Sequence, residues 1–242
     1  MPVAVPIVAG TAIRGLAATV MMRQVLERHN HAFLITLANF GVTMPMSRSQ
    51  KHIHDDICKG LERMGRPLDS PVVLVGHSQG ALASLRYAID HQDQVLHIIT
   101  VGIPWHGAQT AAQVNRLIGW TRLNLAPALS DMAEGSEFLL DLHRDVPAIA
   151  DRVTNIYSTH ELFIRPYWGA HMDVPGVENL LIASEAEYHR HLQGFPDLPV
   201  DDLILGRVTH MGEMNAPEVR SRIWAKVDEV TAEYRRRTGE LE

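Results

Sequence analysis

Apolar residues along this chain fall into short runs, separated by segments in which they recur every three or four positions. Residues 3–9 (VAVPIVA) form the first run, which ends at Gly10, and residues 13–28 follow with helical spacing. Further runs lie at 32–38 (AFLITLA), 71–76, 95–101 (VLHIITV), 153–158 (VTNIYS) and 203–208. Short apolar runs bounded by turn residues suit strands that are buried on both faces. Residues 48–64 place Ile53, Ile57, Leu61 and Met64 on one helical face, and residues 79–91 continue as a helix. Residues 217–236 open with Pro217 at a first helical position and align Val219, Ile223, Val227, Val230 and Tyr234.

Strands that alternate with helices predict a parallel sheet with helices on both faces. Two regions break the rhythm. Residues 104–150 contain helix-like pieces and no strand, and residues 160–202 hold one apolar run, ENLLIAS, among loops rich in Pro, Gly and His. No repeat or linker composition interrupts the chain, so it reads as one domain, 1–242, with two insertions.

Composition narrows the chemistry. The sequence is 46% hydrophobic and 21% charged, ordinary for a globular protein with a substantial core. A net charge of -6 gives no electrostatic reason to bind nucleic acid or an anionic membrane. The arginines at 235–237 complement the dipole at the end of the last helix. A single cysteine, Cys58, excludes an internal disulfide. The N-terminal stretch lacks the charged and long apolar regions of a signal peptide, and no run is long enough to span a membrane. The expected location is cytoplasmic, or secreted if a leader has been removed; oligomeric state is left open.

The strongest local motif is Gly76-His77-Ser78-Gln79-Gly80, a G-x-S-x-G between the run VVLV and the helical stretch ALASLRYAI. A nucleophile leaving a strand in so sharp a turn needs glycines where any side chain would clash, and it arrives at a helix N-terminus that favours negative charge. Serine needs a base, and the base needs a carboxylate. His210 follows the last strand and precedes the last helix, the place for a base. Glu161 follows the strand VTNIYS, the place for the acid, with Asp173 in reserve.

With those residues in place, the chain resembles an α/β-hydrolase of the small bacterial lipase/esterase kind, and the resemblance covers most of its length. Thr100-Val101-Gly102-Ile103-Pro104-Trp105-His106-Gly107 is similar to the family's T-x-G-T-P-x-x-G segment. Tyr157-Ser158-Thr159-His160-Glu161 matches its Tyr-Ser-x-x-Asp pattern, with Glu at the Asp position. Thr209-His210-Met211-Gly212-Glu213 matches G-H-x-x-L around the base without the preceding Gly, and Ala9-Gly10 stands where the family often has His-Gly. The resemblance implies a minimal α/β-hydrolase fold of about six mostly parallel strands, without the two antiparallel edge strands. It also implies backbone N–H groups of Thr11 and Gln79 as the oxyanion hole. In the family a region such as 104–150 is often a cap or lid; its Trp105, Leu117, Ile118, Trp120, Leu123, Leu125 and Leu129 suit core helix equally.

The expected function is hydrolysis of carboxylic esters, with a hydrophobic acyl substrate, through Ser78, His210 and Glu161 and an acyl-enzyme, with no metal or organic cofactor. The partner is a small-molecule ester or lipid. The alternatives are an acyltransferase using the same triad and a non-catalytic binding protein on a hydrolase scaffold. Other candidates have plainer expectations. His77 reads as a packed strand-end histidine, His52 and Asp56 as a solvated helix face, and residues 188–196 (YHRHLQGFP) as a surface loop.

Overall fold

The computed structural model describes residues 2–10, 22, 24–26, 29–36, 45–107 and 130–239. Its sheet has seven parallel strands: β1 (Val5–Ala9), β2 (Ala32–Thr36), β3 (Val72–His77), β4 (Val95–Val101), β5 (Val153–Ser158), β6 (Glu178–Ala183) and β7 (Asp202–Leu205). They lie in the order β2-β1-β3-β4-β5-β6-β7. Among the described residues every strand pair is parallel.

The sheet departs from the expected six strands by one. The addition is β6, the run ENLLIA inside the supposed second insertion. It pairs with β5 on one side and β7 on the other and is buried from Asn179 onward. A strand covered on both faces shows no polar alternation, so six residues among Pro- and Gly-containing loops carry no periodic signal. β7 also stops at Leu205, so that residues 206–209 leave the sheet instead of extending it.

Helices that cover the sheet include α1 (Met46–Arg63), α2 (Gln79–Asp90), α3 (Glu137–Asp145), α4 (Glu185–Gly194) and α5 (Pro217–Thr238). Helix α4 corrects the loop expected at 188–196. Ser184 and Glu187 cap each other's turn at its start, and His191 is buried, its Nε2 donating to the Leu198 carbonyl at 3.1 Å.

Side chains alternate across the strands, as a period of two requires. Val8, Ile35, Val72, Leu74 and Ile98 meet Ile53, Ile57 and Leu61 of α1, Leu82 and Leu85 of α2, and Leu139 and Leu142 of α3. Val5, Ile7, Val73, Val75, Ile99 and Val101 face the other way, onto Val219, Ile223 and Val227 of α5 and onto Met22 and Val25. Within 104–150, Trp105, Val146 and Ile149 join the first core. Residues 117–129 of the proposed lid lie outside the described residues.

The chain runs from β1 to β2 on one side and then returns to place β3 on the other. The carboxyl ends of β1 and β3 therefore diverge at a topological switch point, where open parallel sheets bind ligands.

Candidate active site

Ser78 sits at that switch point, directly after β3 and before α2. Its φ of 57° and ψ of -127° lie outside the ordinary regions for a residue with a side chain. Such a conformation costs on the order of 1–3 kcal/mol and persists only where the surroundings enforce it. Here they do. A Cβ on Gly76 would stand 2.6 Å from the Ala81 Cα, and one on Gly80 would stand 2.4 Å from the Val8 carbonyl oxygen. The two glycines let β3, α2 and β1 close around the turn. The Ser78 N–H donates to the Val101 carbonyl at 2.9 Å, pinning the turn to the end of β4.

Gln79 opens α2, so its backbone N–H is one of the unpaired donors of a helix start. The chain leaving β1 runs beside it, since a Cβ on Gly10 would lie 3.0 Å from Ser78 Cβ and 3.4 Å from Gln79 N. Thr11, the other expected oxyanion donor, lies outside the described residues.

His210 is brought to the site by a loop that crosses the ends of four strands. The Gly206 N–H donates to the Ala183 carbonyl at the end of β6 (3.1 Å). Ser158 Oγ, at the end of β5, donates to the Val208 carbonyl (2.6 Å). A Cβ on Gly102, just past β4, would lie 2.9 Å from His210 Nδ1, so that glycine makes room for the ring. At the end of β3, His77 Nε2 donates to the His210 carbonyl (3.0 Å).

His210 Nδ1 donates to Glu161 Oε1 at 2.9 Å, with both side chains buried. That bond puts the proton on Nδ1 and leaves Nε2 with its lone pair, the tautomer a base needs. Among the described residues no hydrogen bond joins Ser78 Oγ to His210; such contacts often tighten only when substrate binds. The imidazoles of His77 and His210 lie 4.7 Å apart, which sets His210 beside the residue that precedes Ser78.

Burial, helped by neighbouring His210, pushes the His77 imidazole down to about 3, so it is neutral near pH 7. A fully buried carboxyl that sequence reasoning missed, Glu213, completes the group. Its Oε2 lies 3.8 Å from His77 Nε2 and 3.8 Å from His210 Nδ1. Burial first, and then the charge of Glu161, hold Glu213 well above the usual carboxylate range. Its only sequence signal is its place, where the resembled G-H-x-x-L pattern carries leucine. His77, His210 and Glu213 bring metal-ligand atoms together, but the two nitrogens nearest Glu213 already carry hydrogens donated elsewhere, so neither has a lone pair for a cation.

The remaining candidates stand apart from this group. Asp173, the reserve acid, accepts from Trp105 Nε1 at 2.9 Å and pairs with His106 at 3.4 Å. His52 and Asp56 face each other one turn apart on α1 at 3.4 Å. Beside the candidate triad, Leu162, Phe163 and Met211 leave 40–53% of their surface exposed, and the Phe163 ring lies 5.3 Å from that of His210.

A profile of the alpha/beta hydrolase fold matches residues 25–143. No curated protein matches the chain in sequence. Among solved structures, it is similar to the mature lipase BlEst2 of Bacillus licheniformis at 15% identity and a TM-score of 0.52, covering 95% of this chain and 92% of that one. It is similar to lipase B of Aspergillus fumigatus at 15% identity and a TM-score of 0.54, covering 95% and 56%. Phospholipase PlaB of Legionella pneumophila aligns at 10% identity and a TM-score of 0.52, covering 98% and 65%. At such identities the likeness carries the fold and leaves chemistry to the site. With its parallel sheet, its serine on a strained strand-to-helix turn and this match, the chain has the α/β-hydrolase fold.

Proposed function

We propose that the protein is a serine hydrolase of carboxylic esters with a hydrophobic acyl part. In this reading Ser78 Oγ attacks the ester carbonyl while His210 Nε2 takes its proton. Glu161 holds the imidazole and stabilises the imidazolium, and His210 then protonates the departing alcohol. The Gln79 and Thr11 amides hold the oxyanion. Water, activated by the same imidazole, releases the acid from Ser78. The observation that carries the reading is the 2.9 Å bond from His210 Nδ1 to Glu161 behind a strained serine turn. The exposed Leu162, Phe163 and Met211 beside the triad support an apolar substrate, because they would lose water contact on binding it.

A fluorophosphonate probe and a series of p-nitrophenyl esters test this. Wild type should label at one serine and cleave the esters, and Ser78→Ala should lose both, with hydrolysis falling by at least about a thousandfold. Labelling that survives Ser78→Ala would sink the proposal.

A further inference from the structure

Two buried carboxyls stand side by side behind His210. Glu161 spends Oε1 on His210, while its Oε2 and both oxygens of Glu213 have no hydrogen-bond donor among the described residues. Glu161 Oε1 lies 2.9 Å and Glu213 Oε2 3.8 Å from the same nitrogen, His210 Nδ1, so the two buried carboxyls crowd one small space. Ionised carboxylates only accept, so two of them in contact repel; one proton between them turns that contact into a bond and satisfies an oxygen on each. The other groups facing Glu213 do not offer the missing donor. His77 Nε2–H is given to the His210 carbonyl, His210 Nδ1–H to Glu161, and Gly102, whose Cβ would stand 2.3 Å from Glu213 Oε2, has no side chain.

We propose that Glu213 is a positioning residue, un-ionised in the resting protein, whose carboxyl O–H donates to Oε2 of Glu161 and fixes that acid against His210. The inference rests on the serine hydrolase reading for its catalytic consequence, though not for the shared proton itself. When His210 takes the Ser78 proton on Nε2, the proton of Glu213 stays where it is. The imidazolium then faces one negative charge, on an acid held at both oxygens. Without the donor, Glu161 is freer to turn and presents a less neutralised charge, which raises the proton affinity of the imidazole.

Infrared spectra of wild type and Glu213→Gln at neutral pH test the proton. The carbonyl band of a buried carboxylic acid should be present in wild type and absent from the variant; spectra without that difference overturn the proposal, whatever the activity. Ester kinetics test the positioning. Glu213→Gln keeps a donor, so its kcat should stay within about threefold of wild type, while Glu213→Leu should lose about ten- to a hundredfold in kcat with little change in KM. The acid limb of kcat/KM should move to higher pH in Glu213→Leu and return in Glu213→Gln. A Gln variant as impaired as the Leu variant overturns the donor role. An active Glu161→Gln beside an inactive Glu213→Gln overturns it too, by making Glu213 the acid. Loss of Ser78-dependent labelling would instead remove the hydrolase reading, and the infrared band would still decide whether the two carboxyls share a proton.

Discussion

Ser78 is positioned by its immediate neighbours: Gly76 and Gly80 lie within two residues of it, and one backbone bond to Val101 locks the turn. His210 is positioned by distant ones. Its loop is tied to the ends of β6, β5 and β3, and the bonds from Ser158 and His77 span 50 and 133 residues. The side of the proposed nucleophile is thus a local steric solution, in which an added methyl meets backbone that cannot yield. The side of the proposed acid and base is a distributed polar solution, in which each anchor carries a share. The first should fail abruptly on small changes of shape, and the second should fail by charge and by degrees.

The largest effect expected on the acid–base side comes from Glu161→Gln. The amide can donate to Nδ1 and so fix the tautomer that has its hydrogen on Nε2, where the base needs a lone pair. Turnover of an activated ester should fall by roughly three to four orders of magnitude. Stopped-flow acylation would place the loss in that step, and unchanged turnover in a folded variant would remove Glu161 from the mechanism. On the nucleophile side, Gly80→Ala forces a Cβ to 2.4 Å from the Val8 carbonyl of a central strand. Neither backbone can move without disturbing the sheet, so stability should drop by about 3 kcal/mol in urea unfolding. A variant as stable as wild type would mean that the turn is softer than its packing implies.

Titration separates the two sides further, because the acid–base group carries opposed linkages. His77 is neutral in the fold, with its value pushed down to about 3 from an ordinary 6.5, so below pH 6.5 the unfolded chain binds a proton that the folded one does not. Its contribution to stability is lost as the pH falls from 6.5 toward 3. Glu213 is raised above its ordinary 4.5, so its contribution is present below 4.5 and lost as the pH rises toward its folded value. Where both groups are linked to folding, the two slopes oppose each other. Burial also lowers His97, to about 4, which adds to the acid side. Glu213→Gln removes one slope and should expose the other: its stability relative to wild type should fall as the pH drops from 6.5 to 5. His77→Gln in that background should cancel the change. Parallel pH curves for wild type and Glu213→Gln would show that Glu213 ionises normally.

Legibility in the sequence follows the same division. The elbow could be read because its glycines, serine, strand and helix are adjacent in the chain. Glu161 and His210 could be chosen because each follows a strand, and in a parallel sheet strand ends share one edge. What could not be read depends on distant partners. The β6 run was hidden because both its faces are covered by other parts of the chain. Helix α4 was hidden because its polar composition resembles a loop, although Ser184 and Glu187 carry the capping signal. Asp173 had the right residue type in a loop after β5, and only the fold shows it bound to Trp105. Glu213 lies three residues after His210 and looks like a helix-start charge; nothing local reveals that it is buried against Glu161.

The smallest effect expected is also the most direct test of whether the base side is distributed. Ser158 Oγ donates to the Val208 carbonyl at 2.6 Å and accepts from the His160 N–H at 3.0 Å, tying the approach to His210 to the approach to Glu161. Ser158→Ala removes both bonds and leaves the two backbone groups short of a partner, at a cost of about 1–2 kcal/mol in thermal or urea unfolding. The bonds at Gly206 and His77 remain, so the base should stay within reach of Glu161, and kcat should fall only about two- to fivefold with KM unchanged. A loss near that of Glu161→Gln would mean that the arm hangs from one point. The contrast with the serine turn would then be between two local devices, one steric and one polar.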